Sequence, residues 1–306
     1  HGVDMSVSTM CDLVGRCAEL LEPLVKRSRE LILQSPKINT DDTSIPVKNK
    51  NRKNSTYKGY LWVYIDDKKN VVFDFTPTRS RAGPKNFFGD YGGYVQADAY
   101  SGYDEFFRTG NATEVGCCAH ARRKFKYAMD SDPVRASHIM SFWNKLYAIE
   151  KRAKVEELTP AELLSLRQSE SVAVFEDIKR AIDDYKDSVL PKSPMGKAIT
   201  YTLNQWDALR EYTNDPILEI DNNLSERTLR MVVIGRKNYL FAGSEAGAWW
   251  ASIIYSLVAG CKLNDIDPFA YFHDVLRRIS THPASKIDQL LPANWQPLPK
   301  PANRPQ

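Results

Sequence analysis

Three acidic residues, Asp41, Asp98 and Glu226, occupy positions at which a metal-dependent reaction could be built. Asp41 lies in a first extended segment, Asp98 ends a strand just before the chain must turn, and Glu226 stands at the start of a helix. Converging carboxylate oxygens are the ligands that hard divalent cations require, and two such ions hold the attacking and leaving oxygens of a phosphoryl transfer. The three acids therefore indicate metal-assisted phosphoryl transfer, provided that the fold brings them together.

Each acid also has a structural interpretation. Asp98 could cap the helix that follows it, because Asp is a favoured N-cap residue. Asn223 and Glu226 have the spacing of a capping box, in which the Glu side chain binds backbone N–H groups. Asp41 could be an ordinary loop residue. The residues alone leave both interpretations open for every acid.

Cys117 and His120 form a Cys-x-x-His pair, which is half of a tetrahedral zinc site. No second half with matching spacing occurs in the sequence. A buried cysteine at a strand end and a histidine that caps a helix are the alternative, and the spacing favours that alternative.

Positive charge is grouped in three parts of the chain, near the candidate acids in sequence. Residues 48–58 carry Lys and Arg without any acid, and two further groups lie near residues 122–126 and 227–237. Such side chains commonly bind the phosphates of a polyanion, although a solvated helix face explains any single group equally well. The residues that we expect to hold phosphates or to order the site are Arg122, Arg123, Lys124, Arg227, Arg230, Arg236 and Lys237.

The composition excludes several classes of protein. The chain has 306 residues, of which 42% are hydrophobic and 26% charged, so it is not mostly disordered. Its net charge of +4 does not by itself indicate a nucleic-acid partner. No apolar run is long enough for a membrane span, and five scattered cysteines favour a reducing cytoplasm. Because the chain begins at His1 rather than Met, we expect it to be part of a longer protein.

The predicted elements form a mixed α/β pattern. A helix over residues 6–34, capped by Ser6 or Ser8, should kink or split at Pro23. Extended segments are predicted at 37–47, 60–65, 71–75, 93–98 and 113–118, with the second and third forming a hairpin. Residues 120–213 are helical throughout, and further helices follow near 223–233, 246–260 and 268–280. The strands are thus interrupted, or followed, by a large helical block.

Five stretches of the sequence resemble the transposases of the bacterial insertion-sequence-66 (IS66) family. They are residues 95–103 (VQADAYSGY), 114–125 (EVGCCAHARRKF), 219–227 (EIDNNLSER), 235–244 (GRKNYLFAGS) and 261–271 (CKLNDIDPFAY). The likeness is collinear from about residue 1 to residue 295.

The resemblance implies an α/β fold with a ribonuclease-H-like core of the DDE type, a large all-α insertion and flanking helices. By motif, Asp98 matches the family's second acid and Glu226 its third. Asp41 matches the first, in a run whose residues 39, 40 and 44 depart from the family pattern, with Asp42 as the alternative. The implied segments are 1–36 (N-terminal helical), 37–119 (first part of the core), 120–214 (helical insertion), 215–260 (core completion) and 261–306 (C-terminal helices and Pro-rich tail).

The same resemblance implies metal-dependent cleavage and strand transfer at the ends of an insertion sequence. Two Mg²⁺ or Mn²⁺ ions would be the cofactors, DNA ends and target DNA the partners, and a homo-oligomer the active complex, without a membrane. The family's upstream zinc-binding or DNA-binding region has no counterpart here. A DNA-binding remnant without catalysis and a metal-dependent nuclease of the same fold are the alternatives that the sequence leaves open.

Overall fold

The structure is a computed structural model that describes residues 4–50 and 55–297. The chain divides into two compact units, His1–Gly89 with Ser225–Gln306, and Asp90–Leu224. The strands are β1 (Lys37–Lys48), β2 (Thr56–Asp66), β3 (Val71–Thr76), β4 (Tyr94–Gln96) and β5 (Thr113–Val115). The helices are α1 (Val7–Ile32), α2 (Ala82–Phe88), α3 (Asp104–Thr109), α4 (Cys118–Ala128), α5 (Pro133–Val155), α6 (Pro160–Leu166), α7 (Val172–Lys186), α8 (Pro194–Asn204), α9 (Trp206–Arg210), α10 (Asn223–Gly235), α11 (Glu245–Leu263) and α12 (Pro268–Arg278).

The first unit is built on three antiparallel strands, with β2 between β1 and β3. Residues 61–65 of β2 are fully buried, as expected of a strand that is covered on both faces. On one face, Phe73 of β3 contacts Tyr255 of α11, and α11 also packs against α1. On the other face, Tyr64 of β2 stacks on Phe87 of α2. Because successive side chains of a strand point to opposite faces, only one of the neighbours Asp41 and Asp42 on β1 faces α11.

The second unit combines two short parallel strands with a helical core. β4 and β5 pair in parallel, with Val95 opposite Glu114. Helix α4 packs on α5 and α8, and α5 packs on α7. Trp143, Phe175 and Tyr212 meet at the centre of this core and are fully buried. All of these strands and helices belong to the single stretch Asp90–Leu224.

Most of the predicted helices and strands occur in the structure, although their first and last residues differ from the prediction. The hairpin of β2 and β3 is confirmed, and Ser6 caps α1 by accepting the N–H of Thr9. Of the two outcomes predicted at Pro23, the split is wrong, because α1 continues through this residue, and the kink stays a prediction. Pro23 is exposed, so the carbonyl that it leaves without a helical N–H partner can bind water. Arg52 and Lys53 of the basic stretch lie outside the described residues.

The mixed α/β class is confirmed by these elements, whereas the ribonuclease-H-like core and the five implied segments stay predictions. Among residues 4–50 and 55–297, no helix has the length and apolar character that a membrane crossing demands.

Candidate functional site

Asp41 lies near the middle of β1, directly opposite Val63 of β2. Val63 in turn pairs with Phe73 of β3, so these three residues occupy one row across the strands. Because side chains on neighbouring strands that lie opposite each other share a face, Asp41 projects from the face on which α11 packs. Asp41 is half-buried, and its Oδ1 accepts the backbone N–H of Asp42 at 2.7 Å.

Asp42 projects from the opposite face of β1 and is held by Arg79. The guanidinium donates Nε to both carboxylate oxygens, at 2.9 and 3.0 Å, and Nη2 to Oδ1 at 2.7 Å. The Asp42 side chain is only 6% exposed. A bidentate pair of this kind fixes the carboxylate geometrically. Asp42 therefore has a structural role, which supports Asp41 as the first acid of the predicted site.

Arg236 follows α10 and binds the part of β1 just beyond the two aspartates. Its Nη1 donates to the backbone carbonyl of Ser44 and to the Ser44 hydroxyl, and its Nη2 donates to the Thr43 hydroxyl at 3.2 Å. Of the two roles predicted for Arg236, phosphate binding and ordering the site, these contacts favour the second. The arginine thus holds the main chain three residues after Asp41, at Ser44, and the Thr43 side chain between them.

Glu226 is the fourth residue of α10 and is half-buried. A capping box would place Glu at the third helical position after an Asn cap, whereas Asn223 is already the first helical residue here. Arg227 and Arg230 on the same helix are exposed, as is Lys237 beyond it. These three cations lie on the surface of the first unit, where a phosphate could reach them.

Asp98 lies in the second unit, two residues after the end of β4. The strand before it is held by the Gln96 side chain, which donates to the carbonyl of Glu219 at 2.5 Å, and by the Ala97 N–H, which donates to Val115. The 3₁₀ turn that follows has Tyr100, not Asp98, at its N-cap position. Asp98 is half-buried at the end of a well-anchored strand.

Tyr201 of α8 lies close to Asp98. Burial raises the pKa of the Tyr201 hydroxyl most strongly, and the negative charges of Cys117 and Asp98 raise this pKa further. The Lys124 ammonium lies 4.5 Å from the centre of the Tyr201 ring. A cation over an aromatic face is attracted by the ring quadrupole. The Tyr201 side chain is thus in contact with Lys124 and within the electrostatic influence of Asp98, two of the predicted site residues.

Cys117 and His120 lie together at the start of α4. Their Sγ and ring nitrogen are within 4.8 Å of each other. Cys117 is buried at the N-cap position, and its Sγ accepts the backbone N–H of Asn222 at 3.3 Å. One cysteine sulfur and one imidazole nitrogen do not complete the four-ligand shell of a structural zinc ion. Within the second unit, the contact with Asn222 gives Cys117 a structural role.

Asp221 was missed by the sequence analysis. Its Oδ1 accepts the backbone N–H of Asn223, and its Oδ2 accepts the Tyr147 hydroxyl at 3.1 Å. Burial, together with the charges of Cys118 and Asp221, raises the pKa of Tyr147, so this hydroxyl remains a donor. The Asx turn fixes the backbone where the helix that carries Glu226 begins. The Asp-Asn-Asn run before that helix was the available signal.

The cations of α4 differ in their surroundings. The Arg122 guanidinium donates to Asn144 Oδ1 at 3.0 and 3.2 Å and lies 5.7 Å from the Tyr147 ring centre. Arg123 is exposed. The Arg122 side chain therefore makes contacts within the helical unit, and the Arg123 side chain lies at the surface.

The predicted site residues thus belong to different units: Asp41 and Glu226 to the first, Asp98 to the second. Each stands at a defined point of the fold, and their grouping around metal ions stays a prediction.

Comparisons with known proteins give the family. Residues 1–249 match the model of the Transposase IS66 family, and residues 256–293 match that of the IS66 C-terminal element. Three curated relatives come from Sinorhizobium fredii (strain NBRC 101917 / NGR234), namely the uncharacterized proteins y4hP, y4jD and y4qI. They are 30%, 29% and 30% identical, each over 97% of this chain. The chain spans 57%, 61% and 58% of their respective lengths. A match over this much of the sequence shows that the chain belongs to the IS66 family of transposases.

Proposed function

We propose that this chain is the catalytic region of a DDE transposase with a ribonuclease-H-like core, which cleaves DNA at insertion-sequence ends and joins it to target DNA. One observation carries the proposal. Asp41, Asp98 and Glu226 all lie inside the stretch that matches the transposase family model. The proposed partners of the chain are the DNA ends of the element, the target DNA and further copies of the chain in the active complex.

The donor set fits hard divalent cations. Three carboxylates supply oxygen ligands only, which suits Mg²⁺ or Mn²⁺ rather than a metal that prefers sulfur or nitrogen. Asp41, Asp98 and Glu226 are each half-buried, so they lie between bulk water and the core. Two bound ions would supply polarisation of the attacking and leaving oxygens. In this proposal Asp41, Asp98 and Glu226 together would hold the two ions.

The protein's own residues would position the carboxylates and the DNA. Asp42 would not bind a metal ion, because its carboxylate is held by Arg79. Arg236 would hold β1 in position near Asp41. Arg123 and the exposed cations that follow Glu226 would hold phosphates of the bound strands. Hydrolysis at the element end would free a 3′-hydroxyl. This hydroxyl would then attack a phosphate of the target strand, and the bond from that phosphorus to the target's own 3′-oxygen would break.

The proposal is tested by incubating the chain with Mg²⁺ and labelled DNA that carries the element ends. Asp98→Asn and Glu226→Gln keep side-chain shape and remove one charge each, so we expect both to lower the rate of cleavage at least ~100-fold. Asp104→Asn is the matched control, because Asp104 is an exposed acid of the same unit as Asp98 and should leave the rate unchanged.

Three other outcomes separate the alternatives. Cleavage without joined products identifies a nuclease of the same fold. DNA binding without any cleavage by the wild-type chain identifies a non-catalytic remnant. Equal cleavage by the wild type and by Asp98→Asn contradicts the catalytic assignment.

A further inference from the structure

The loop between α10 and α11 exposes two large apolar side chains next to each other. Leu240 is 81% exposed and Phe241 is 42% exposed. We call these two residues the apolar tip. Single exposed apolar residues are common on protein surfaces, but an adjacent pair on a short connection indicates a binding role.

The apolar tip is held by hydrogen bonds on both sides. Before it, the Tyr239 N–H donates to Gly235, and the Tyr239 hydroxyl lies 2.8 Å from that of Tyr255. After it, the Ala242 N–H donates to the carbonyl of Pro46, and the Lys48 N–H donates to the carbonyl of Ala242. Because the main chain is held at residues 239 and 242, the backbone that carries the two side chains has a defined position.

Gly235 permits the first of these anchors. A Cβ at this position would lie 2.5 Å from the Tyr255 hydroxyl and 3.1 Å from the Tyr239 ring. The close approach of both tyrosines therefore depends on glycine.

The surroundings of the apolar tip are cationic. Lys237 precedes it by three residues and is exposed. On β1 and β2, the exposed Lys48 follows the bridge to Ala242, and the exposed Lys58 pairs with Pro46, whose carbonyl binds Ala242. Between residues 227 and 250 the sequence has one carboxylate, Glu245, which accepts the Tyr57 hydroxyl at 2.8 Å.

We propose that the apolar tip is a DNA wedge, in which Phe241 stacks on an unpaired base and Leu240 fills the gap that this base leaves, while Lys48, Lys58 and Lys237 bind the flanking phosphates. Apolar side chains inserted between bases and cations placed on the backbone are the two contacts by which proteins hold distorted DNA. The net positive charge around the tip favours nucleic acid over an apolar protein surface as its occupant. The inference rests on the proposed function, which supplies DNA as the substrate.

The test uses the full chain and a short DNA duplex that ends in a single-stranded overhang, with 2-aminopurine at the junction. Binding of the wild-type chain should raise the fluorescence of this base as it leaves the stack. Phe241→Ala should abolish the rise and weaken junction binding by about tenfold, while binding to a blunt duplex changes less than about twofold. Lys237→Ala should instead weaken binding to both DNAs and lower the salt slope by about one.

The matched control is Phe269→Ala on α12, which removes an equally large side chain that is 78% exposed. This variant should leave junction binding and fluorescence unchanged. Unfolding midpoints of both variants are measured as well, because Phe241 is more covered than Phe269, and binding is compared at a temperature at which both are folded.

Several results would overturn the wedge. They are equal junction binding by Phe241→Ala and wild type, equal binding of junction and duplex by the wild type, or no DNA binding at all. A change in the sedimentation of the DNA-free chain in Phe241→Ala, without a change in junction binding, would make the tip a protein contact instead. Cleavage with Mg²⁺ is measured on the same samples. For this comparison the duplex carries the element-end sequence. Cleavage without unstacking then contradicts the wedge alone, whereas unstacking without cleavage contradicts the proposed function alone.

Discussion

The two neighbouring aspartates of β1 should respond in opposite ways to the same substitution. Asp41→Asn keeps an oxygen that can accept the Asp42 N–H but removes the charge that a cation would need. Asp42→Asn removes the charge that Arg79 binds through both carboxylate oxygens. We therefore expect Asp41→Asn to lose cleavage and keep stability, and Asp42→Asn to lose stability and keep cleavage.

The expected loss of stability follows from the burial of the pair. The side chains of Asp42 and Arg79 are 6% and 35% exposed. Exposed ion pairs contribute about 0–1 kcal/mol, whereas breaking a buried pair costs about 3–5 kcal/mol. This pair lies between the two classes, so Asp42→Asn should lower the free energy of unfolding by ~1–3 kcal/mol. For Asp41→Asn, the change should stay within about 0.5 kcal/mol.

The assay combines urea unfolding with single-turnover cleavage. Trp62 pairs with Asp42 across β1 and β2, so tryptophan fluorescence includes a reporter at the site of the change. Arg79→Gln should destabilise as much as Asp42→Asn, and the double variant should be less destabilised than the sum of the two. Loss of cleavage in Asp42→Asn together with full activity in Asp41→Asn would refute the assignment of Asp41.

Three further outcomes are expected. Arg236→Ala should lower the free energy of unfolding by ~1–3 kcal/mol in urea and raise the Mg²⁺ concentration needed for cleavage, because β1 loses charged donors. Glu150→Ala leaves the guanidinium of Arg167, which is 3% exposed, without its carboxylate, and should cost ~3–5 kcal/mol in thermal unfolding; a loss below about 1 kcal/mol would contradict this. Asp288 has its pKa lowered from 3.8 by the hydrogen bond from Arg27, so its contribution to stability is present above that pH and lost as the pH falls through the lower folded value. Arg27→Gln should remove this acid-side dependence in unfolding midpoints measured from about pH 5 down to about pH 2.

Local sequence predicted the elements well where the pattern is strong. The alternating and β-branched residues of β2 and β3 predicted the hairpin, and periodic apolar residues predicted α4, α5 and α11. Within the helical stretch predicted over residues 120–213, a π-helical turn at Arg167–Ser171 separates α6 from α7. Arg167 there binds Glu150 and the carbonyl of Tyr212, which are distant in sequence. No local pattern could predict an interruption that depends on such partners.

The proposed site could be read from the sequence only in part, because some of its candidate residues depend on distant partners. Asp98 and Glu226 lie in long motifs, so the sequence indicated them directly. The choice between Asp41 and Asp42 depends on Arg79, which lies 37 residues further along the chain. The role of Asp221 depends on Tyr147, at a separation of 74 residues. Contacts over such separations follow from the packing of the whole unit, which composition and spacing do not reveal.

The backbone near each acid is fixed by bonds that other residues make. Arg236 binds β1 after Asp41, the Gln96 side chain anchors the strand before Asp98, and Asp221 fixes the start of the helix that carries Glu226. A carboxylate that is the ion-pair partner of a neighbouring arginine contributes to folding, so its substitution lowers stability, as we expect for Asp42. Where neighbouring residues place the main chain, an amide substitution changes charge and leaves position unaltered. Conservative variants of the three acids therefore test the chemistry of the site separately from its folding.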